Sequence, residues 1–180
     1  MMADGGRLGL DDLPPTTAGA ESGGGGPRFE LIRADHLEFR EPEWLIEDLL
    51  ETETLAQIFG DPGCGKSFVA LDVAASVATG RAFHGRDVRP GAVIYLAGEG
   101  HNGIKRRLTA WERHTGQTLD GSPLYVSRGA AQFLDADSAA AVAEAVDAIS
   151  VLAGEVVLIV IDTLARNYGP GDENATADMS

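Results

Sequence analysis

Eight residues limit this chain's possible folds more than any other stretch: Gly60-Asp61-Pro62-Gly63-Cys64-Gly65-Lys66-Ser67 spell G-x-x-x-x-G-K-[ST]. The pattern carries meaning only between a strand and a helix. Upstream, Leu55-Ala56-Gln57-Ile58-Phe59 is short and mostly apolar, which predicts a buried strand. Downstream, Phe68 to Ala78 is rich in helix formers, and Gly80 follows as a C-cap. Glycines in such a turn let successive backbone N–H groups converge on a phosphate at the positive end of the helix. Lys66 adds a point charge for the β- and γ-phosphates, and the Ser67 hydroxyl is a ligand for Mg²⁺. The stretch reads as a nucleoside triphosphate site.

Composition narrows the setting. At 180 residues the chain has the length of one domain with one core. Its formal net charge of −14 argues against a grip on DNA or RNA by charge alone, because that grip needs Lys and Arg at the phosphates. Cys64 is the single cysteine, so neither a disulfide framework nor a cysteine zinc site is available. Its place beside a helix N-terminus would favour a thiolate, but a small residue filling a variable motif position is the simpler reading. No apolar run reaches the roughly 18 residues of a membrane span, and no signal peptide stands at the start. A cytoplasmic address with no membrane partner is the expectation.

Along the chain, residues 1–28 are rich in Gly and Pro and read as a disordered tail. Residues 29–54 form an acidic, amphipathic lead-in anchored by Trp44-Leu45-Ile46 and Leu49-Leu50, expected to pack on the core edge. Residues 55–180 supply the α/β core. Beyond the phosphate loop, Ala92 to Ala97 reads as a second buried strand ending at Gly98-Glu99-Gly100. A helix from about Asn102 sets Ile104, Leu108 and Trp111 on one face. Leu124-Tyr125-Val126 is a short strand, and Ser138 to Leu152 a helix with Val142, Val146 and Ile149 at helical spacing. Glu155 to Asp162 is β-branched almost throughout and closes on a carboxylate. Strands alternating with helices predict a parallel sheet sandwiched by helices.

In such a sheet ligands sit beyond the C-terminal strand ends. Asp162, after a long apolar run, has the form of a Walker B aspartate that shares Mg²⁺ with Ser67. Many P-loop ATPases carry the catalytic glutamate directly after that aspartate, but here Thr163 follows and cannot act as a base. Glu99, at the end of the neighbouring strand between two glycines, is the candidate to deprotonate the attacking water.

Several blocks together carry a resemblance: Trp44-Leu45-Ile46, the loop from Gly60 through Lys66-Ser67-Phe68, Gly91 to Gly100, Arg107 to Trp111, and Val160-Ile161-Asp162-Thr163-Leu164-Ala165-Arg166. From about Glu43 to Ser180 the chain resembles the RepA-like family of RecA-fold ATPases, known from plasmid and phage replication helicases and related AAA-type domains. The resemblance implies a RecA-like core that binds ATP and Mg²⁺ and assembles as a homo-oligomer, a hexamer, with DNA as partner of the full-length protein. It places Gly60, Asp61, Pro62, Gly63, Cys64, Gly65, Lys66, Ser67 and Phe68 on the nucleotide, and Ser67 and Asp162 on the metal. It makes Glu99 the catalytic base, and Arg107 and Arg166 candidate phosphate or subunit contacts. Glu51-Thr52-Glu53-Thr54 departs from the Gly/Pro turn frequent in the family. A sensor histidine, an arginine finger and DNA-facing loops would follow the Walker B strand, so the chain is expected to be the N-terminal part of a longer protein. His84, His101 and His114 all precede that strand. In the family order a further strand lies between the phosphate-loop and Walker B strands, so its slot is expected to stand empty here. A nucleotide-controlled regulator or assembly module without motor activity, and a recombinase or KaiC-like ATPase, are the alternatives.

Overall fold

The computed structural model describes residues 33–98 and 101–168. The expected tail over residues 1–28 lies outside them. By its contacts the chain divides into two units, Met1–Arg40 and Glu41–Ser180. In the first, the described residues form one 3₁₀ turn, Ala34–His36. Arg33 grips the Asp35 carboxylate across it, with Nε at 2.9 Å and Nη2 at 2.6 Å.

The second unit is an α/β core. It opens with a small antiparallel hairpin of β1 (Trp44–Ile46) and β2 (Leu50–Glu51). Leu45 and Ile46 of β1 are buried in the main core, and Trp44 is half-buried. Leu49 departs from the expected packing on the core edge: it sits at the hairpin turn and is exposed. Helix α1 (Lys66–Thr79) follows the phosphate loop. It ends where predicted. Gly80 takes a left-handed φ of 68°, and the N–H groups of Gly80 and Arg81 donate to the carbonyls of Val77 and Ser76.

Three parallel strands make the sheet: β3 (Ala92–Ala97), β4 (Leu124–Val126) and β5 (Val156–Asp162), in the order β4-β3-β5. Between them run α2 (His101–Thr115) and α3 (Ala136–Ala153), and a short α4 (Leu164–Tyr168) follows β5. All six residues of the central β3 are buried, which requires cover on both faces of the sheet. Val93, Tyr95 and Ala97 join Leu71, Ala74 and Val77 of α1 and Ile104 and Leu108 of α2 in one cluster. Helix α3 packs on β3 and β5 with its half-buried stripe Val142, Val146 and Ile149. The α/β class and the parallel sheet are as the alternation predicts.

One predicted element is absent. Leu55 to Phe59 forms no strand; Leu55 is 99% and Phe59 86% exposed. An extended segment becomes a strand only when a neighbour takes its N–H and C=O groups. Among the described residues β5 pairs with β3 alone, so the edge that leads toward the phosphate loop offers no intervening strand. Apolar composition marks this segment as strand-forming, but composition does not supply the partner. Ile159 and Ile161, on the same open side of the sheet order, remain 43% and 39% exposed.

Candidate nucleotide site

The phosphate loop is built on backbone that side chains tolerate poorly. Gly63 and Gly65 have φ of 80° and 98°, in the left-handed region. Gly65 is the N-cap of α1, and no side chain caps the helix there, so no cap competes with an anion for the N–H groups of Lys66 and Ser67. Lys66 folds back over the loop. Its ammonium donates to the carbonyls of Gly60 at 2.7 Å and Asp61 at 3.0 Å, with Cys64 Sγ at 4.0 Å. These carbonyls hold the charge above the cradle that a triphosphate would enter, and a phosphate oxygen has to replace them as acceptor.

One residue further on, Ser67 meets the far strand. Its Oγ donates to Asp162 Oδ1 at 3.0 Å, linking positions 95 residues apart in sequence. The contact forms although, among the described residues, no strand pairs with β5 on the side away from β3. The other carboxylate oxygen, Oδ2, accepts from Tyr95 Oη at 2.5 Å. Tyr95 is fully buried in β3. In the parallel register Tyr95 stands opposite Val160, and Asp162 is two residues beyond on the same face. Hydroxyl-to-carboxylate bonds of this length are the strong, charge-assisted kind. The hydroxyl and carboxylate oxygens of Ser67 and Asp162 are hard donors of the type Mg²⁺ prefers. No group of three or more His, Cys, Asp and Glu stands together among the described residues.

Around this centre the strand ends are tied down. Gly98 N–H donates to the Asp162 carbonyl at 2.7 Å. The stem of Arg166 lies so close to Gly98 that a Cβ there would fall 2.5 Å from Arg166 Cβ, and Arg166 Nη1 donates to the Gly98 carbonyl at 3.2 Å. Arg166 is thus engaged with the backbone at the strand edge. The peptide between Asp162 and Thr163 is cis. Asn167, fully buried, accepts from Ala131 N–H at 2.8 Å and donates to the Thr163 carbonyl at 2.9 Å. It fastens the segment after β4 to the turn that follows Asp162.

Arg107 lies over the ring of Phe68, its Cζ 5.4 Å from the centroid. This cation–π contact brings α2 against the first turn of α1. A second tie runs deeper. Asp72 of α1 accepts from Trp111 Nε1 at 2.7 Å through Oδ1 and faces His84 Nε2 at 2.9 Å through Oδ2. The structure therefore brings Gly60 to Phe68, Asp162 and Arg107 to one end of α1. Glu99, the expected base, lies outside the described residues.

Tyr95, Asn167 and Asp72 did not stand out in the sequence. For Tyr95 a signal existed: it carries the one hydroxyl in an otherwise apolar strand, at a position that shares a face with the Walker B carboxylate.

A Walker-type loop on a helix N-terminus, its serine bonded to a strand-end aspartate, at the edge of a parallel sheet, defines a P-loop NTPase core. The family model for the AAA domain matches residues 27–180, and the chain belongs to that family of nucleotide-binding P-loop ATPases. It is also similar to the proteasome-associated ATPase of Sanguibacter keddieii, 32% identical over 118 residues. That match takes in 65% of this chain but 16% of the relative, so the chain spans about a sixth of the relative's length. No solved structure matches the chain. No helix among the described residues is long and apolar enough to cross a membrane.

Proposed function

We propose that the chain binds ATP with Mg²⁺ at the Gly60–Ser67 loop and hydrolyses it as the engine of a DNA-linked, RepA-like motor. The observation that carries the site is the 3.0 Å contact between Ser67 Oγ and Asp162 Oδ1, made beside Lys66. In this reading Lys66 leaves the carbonyls of Gly60 and Asp61 for the β/γ-phosphates, while the α1 N-terminus and the Gly63 and Gly65 backbone receive the phosphate oxygens. Ser67 and Asp162 would hold the metal ion, and Tyr95 orients the carboxylate that would do so. When bound, the ion offsets phosphate charge as it develops in the transition state. Glu99 takes the proton of the attacking water. Arg107, held over Phe68, stands within reach of the phosphate end of α1.

The motor assignment and a homo-oligomeric, hexameric state rest on the blocks shared with RepA-like ATPases. Thr163, in the place of the usual catalytic glutamate, favours a second reading: a nucleotide-controlled module without motor activity. Turnover separates them. In the complete protein, Glu99→Gln should keep ATP binding and lose about 10²- to 10⁴-fold in phosphate release, the usual contribution of a positioned base. Wild-type turnover in that variant would place the base elsewhere, and DNA-independent, negligible turnover in the wild type would favour the module.

A further inference from the structure

Among the described residues, Ser76 and Asn167 are the fully buried polar ones. Ser76 stays within α1, where its hydroxyl reaches Asp72 at 3.5 Å. Asn167 instead joins three segments of the chain. It stands in α4, four residues after Thr163 and five after Asp162. Its Nδ2 donates to the Thr163 carbonyl at 2.9 Å and to the Leu96 carbonyl, near the end of β3, at 3.5 Å. Its Oδ1 accepts from Ala131 N–H at 2.8 Å, and its carbonyl accepts from Phe133 N–H at 2.9 Å, both in the stretch after β4. The N–H groups of Arg166 and Asn167 converge on the same Thr163 carbonyl, each at 3.2 Å. On the other side, the Asp162 carbonyl accepts from Gly98 N–H at 2.7 Å. Asp162 thus leaves β5 between two anchored carbonyls, and the direction of its side chain follows from both. A helix of five residues has no stability of its own to hold such a turn. A buried amide bonded at both ends does hold it, because displacing it would strand polar groups away from water.

We propose that Asn167 is a positioning residue for the nucleotide site: by holding the Thr163 carbonyl against the ends of β3 and β4, it aims the Asp162 carboxylate at Ser67. The inference rests on the reading of Asp162 as the metal carboxylate. The two carboxylate oxygens take their bonds from Ser67 and Tyr95, and none of the bonds of Asn167 goes to either residue or to the carboxylate. Whatever Asn167 does at the carboxylate therefore passes through the backbone of the turn. This separates a positioning role from plain core packing, which would leave the Ser67–Asp162 contact as it is.

A double-mutant cycle of urea unfolding, run without nucleotide, tests it first. Independent sites add, whereas sites that share a partner do not. Ser67→Ala should therefore lower the urea midpoint less in an Asn167→Ala background than in the wild type, because the misdirected carboxylate has already lost its serine. Leu45→Ala, a core truncation in β1, is the control and should add to Ser67→Ala in full. Calorimetric titration of ATP at varied Mg²⁺ is the second readout. Asn167→Ala should raise the Mg²⁺ requirement about 10- to 100-fold, as the loss of an outer positioning partner does, and leave ATP affinity in EDTA unchanged; Leu45→Ala should change neither. Asn167→Leu, close in shape but without polar atoms, should behave like Asn167→Ala and serves if the alanine variant does not fold. Asn167→Ser should recover most of the Mg²⁺ requirement, since a serine hydroxyl bonds the carbonyl four residues before it, here that of Thr163. Additive losses in the cycle, a wild-type Mg²⁺ requirement in Asn167→Ala and Asn167→Leu, or an equal defect in Asn167→Ser would each overturn the proposal. A wild type whose ATP binding ignores Mg²⁺ would instead overturn the metal reading of Asp162, and the cycle, which needs no nucleotide, tells the two failures apart.

Discussion

Replacing Tyr95 by Phe removes one oxygen atom from the core and nothing else. The ring stays in a fully buried site, so packing changes little. What is lost is the 2.5 Å bond from Tyr95 Oη to Asp162 Oδ2. Hydrogen bonds to charged groups contribute about 1.5–3 kcal/mol, and Asp162 is half-buried, so water replaces the hydroxyl only in part. Tyr95→Phe should therefore lower unfolding stability by about 1–3 kcal/mol, read as a reduced urea midpoint with an unchanged slope. A second effect should appear at the site. Asp162 would keep the Ser67 contact but lose the group that fixes its orientation, and losses of such outer partners typically weaken metal binding about 10- to 100-fold. Calorimetric titration of ATP at varied Mg²⁺ measures it. Unchanged stability together with an unchanged Mg²⁺ requirement would refute the reasoning, because the short bond would then contribute nothing.

Asp72→Ala should cost about 1–3 kcal/mol in urea unfolding, since it leaves the nearly buried Trp111 indole N–H without its 2.7 Å acceptor; Asp72→Asn, which keeps an acceptor oxygen, should cost less. Gly98→Ala should destabilise by about 1–3 kcal/mol, because the new methyl would stand 2.5 Å from Arg166 Cβ and the turn after Asp162 would have to move. Asp135 caps α3, and its bond from the Ser138 side chain, followed by the one from the Ser138 backbone N–H, holds its pKa below the ordinary carboxylate value. A depressed folded-state pKa gives stabilisation that is present above the unfolded value and lost as pH falls through the folded one. The helical signal of α3 should thus weaken in acid below the normal carboxylate range, and Asp135→Asn should abolish that pH dependence in far-UV circular dichroism.

The elements that could be read from sequence are those whose signals are local. β3 and β5 are continuous apolar runs, α1 is bounded by a phosphate loop and a left-handed glycine, and α2 shows its buried stripe directly. Ser67 and Asp162 could be paired in advance because a parallel sheet brings strand ends to one edge, and the structure joins them at 3.0 Å. Leu55 to Phe59 was misleading for a physical reason: being a strand depends on a neighbour, and its own residues cannot reveal whether one is there. Tyr95, Asp72 and Asn167 were missed because each is defined by a partner distant in sequence, at Asp162, Trp111 and Ala131. A buried polar group signals that a partner exists without naming it.

The central claim is that the Gly60–Ser67 loop receives a triphosphate with Lys66 on its β/γ end. The direct measurement is ATP affinity by calorimetry in the presence of Mg²⁺, wild type against Lys66→Ala. The substitution deletes one ammonium and leaves the glycine backbone and the α1 N-terminus in place. A charge-assisted contact of about 1.5–3 kcal/mol predicts an affinity roughly ten- to a hundredfold lower in the variant. Equal affinity in the two proteins would contradict the assignment of the loop as the nucleotide site.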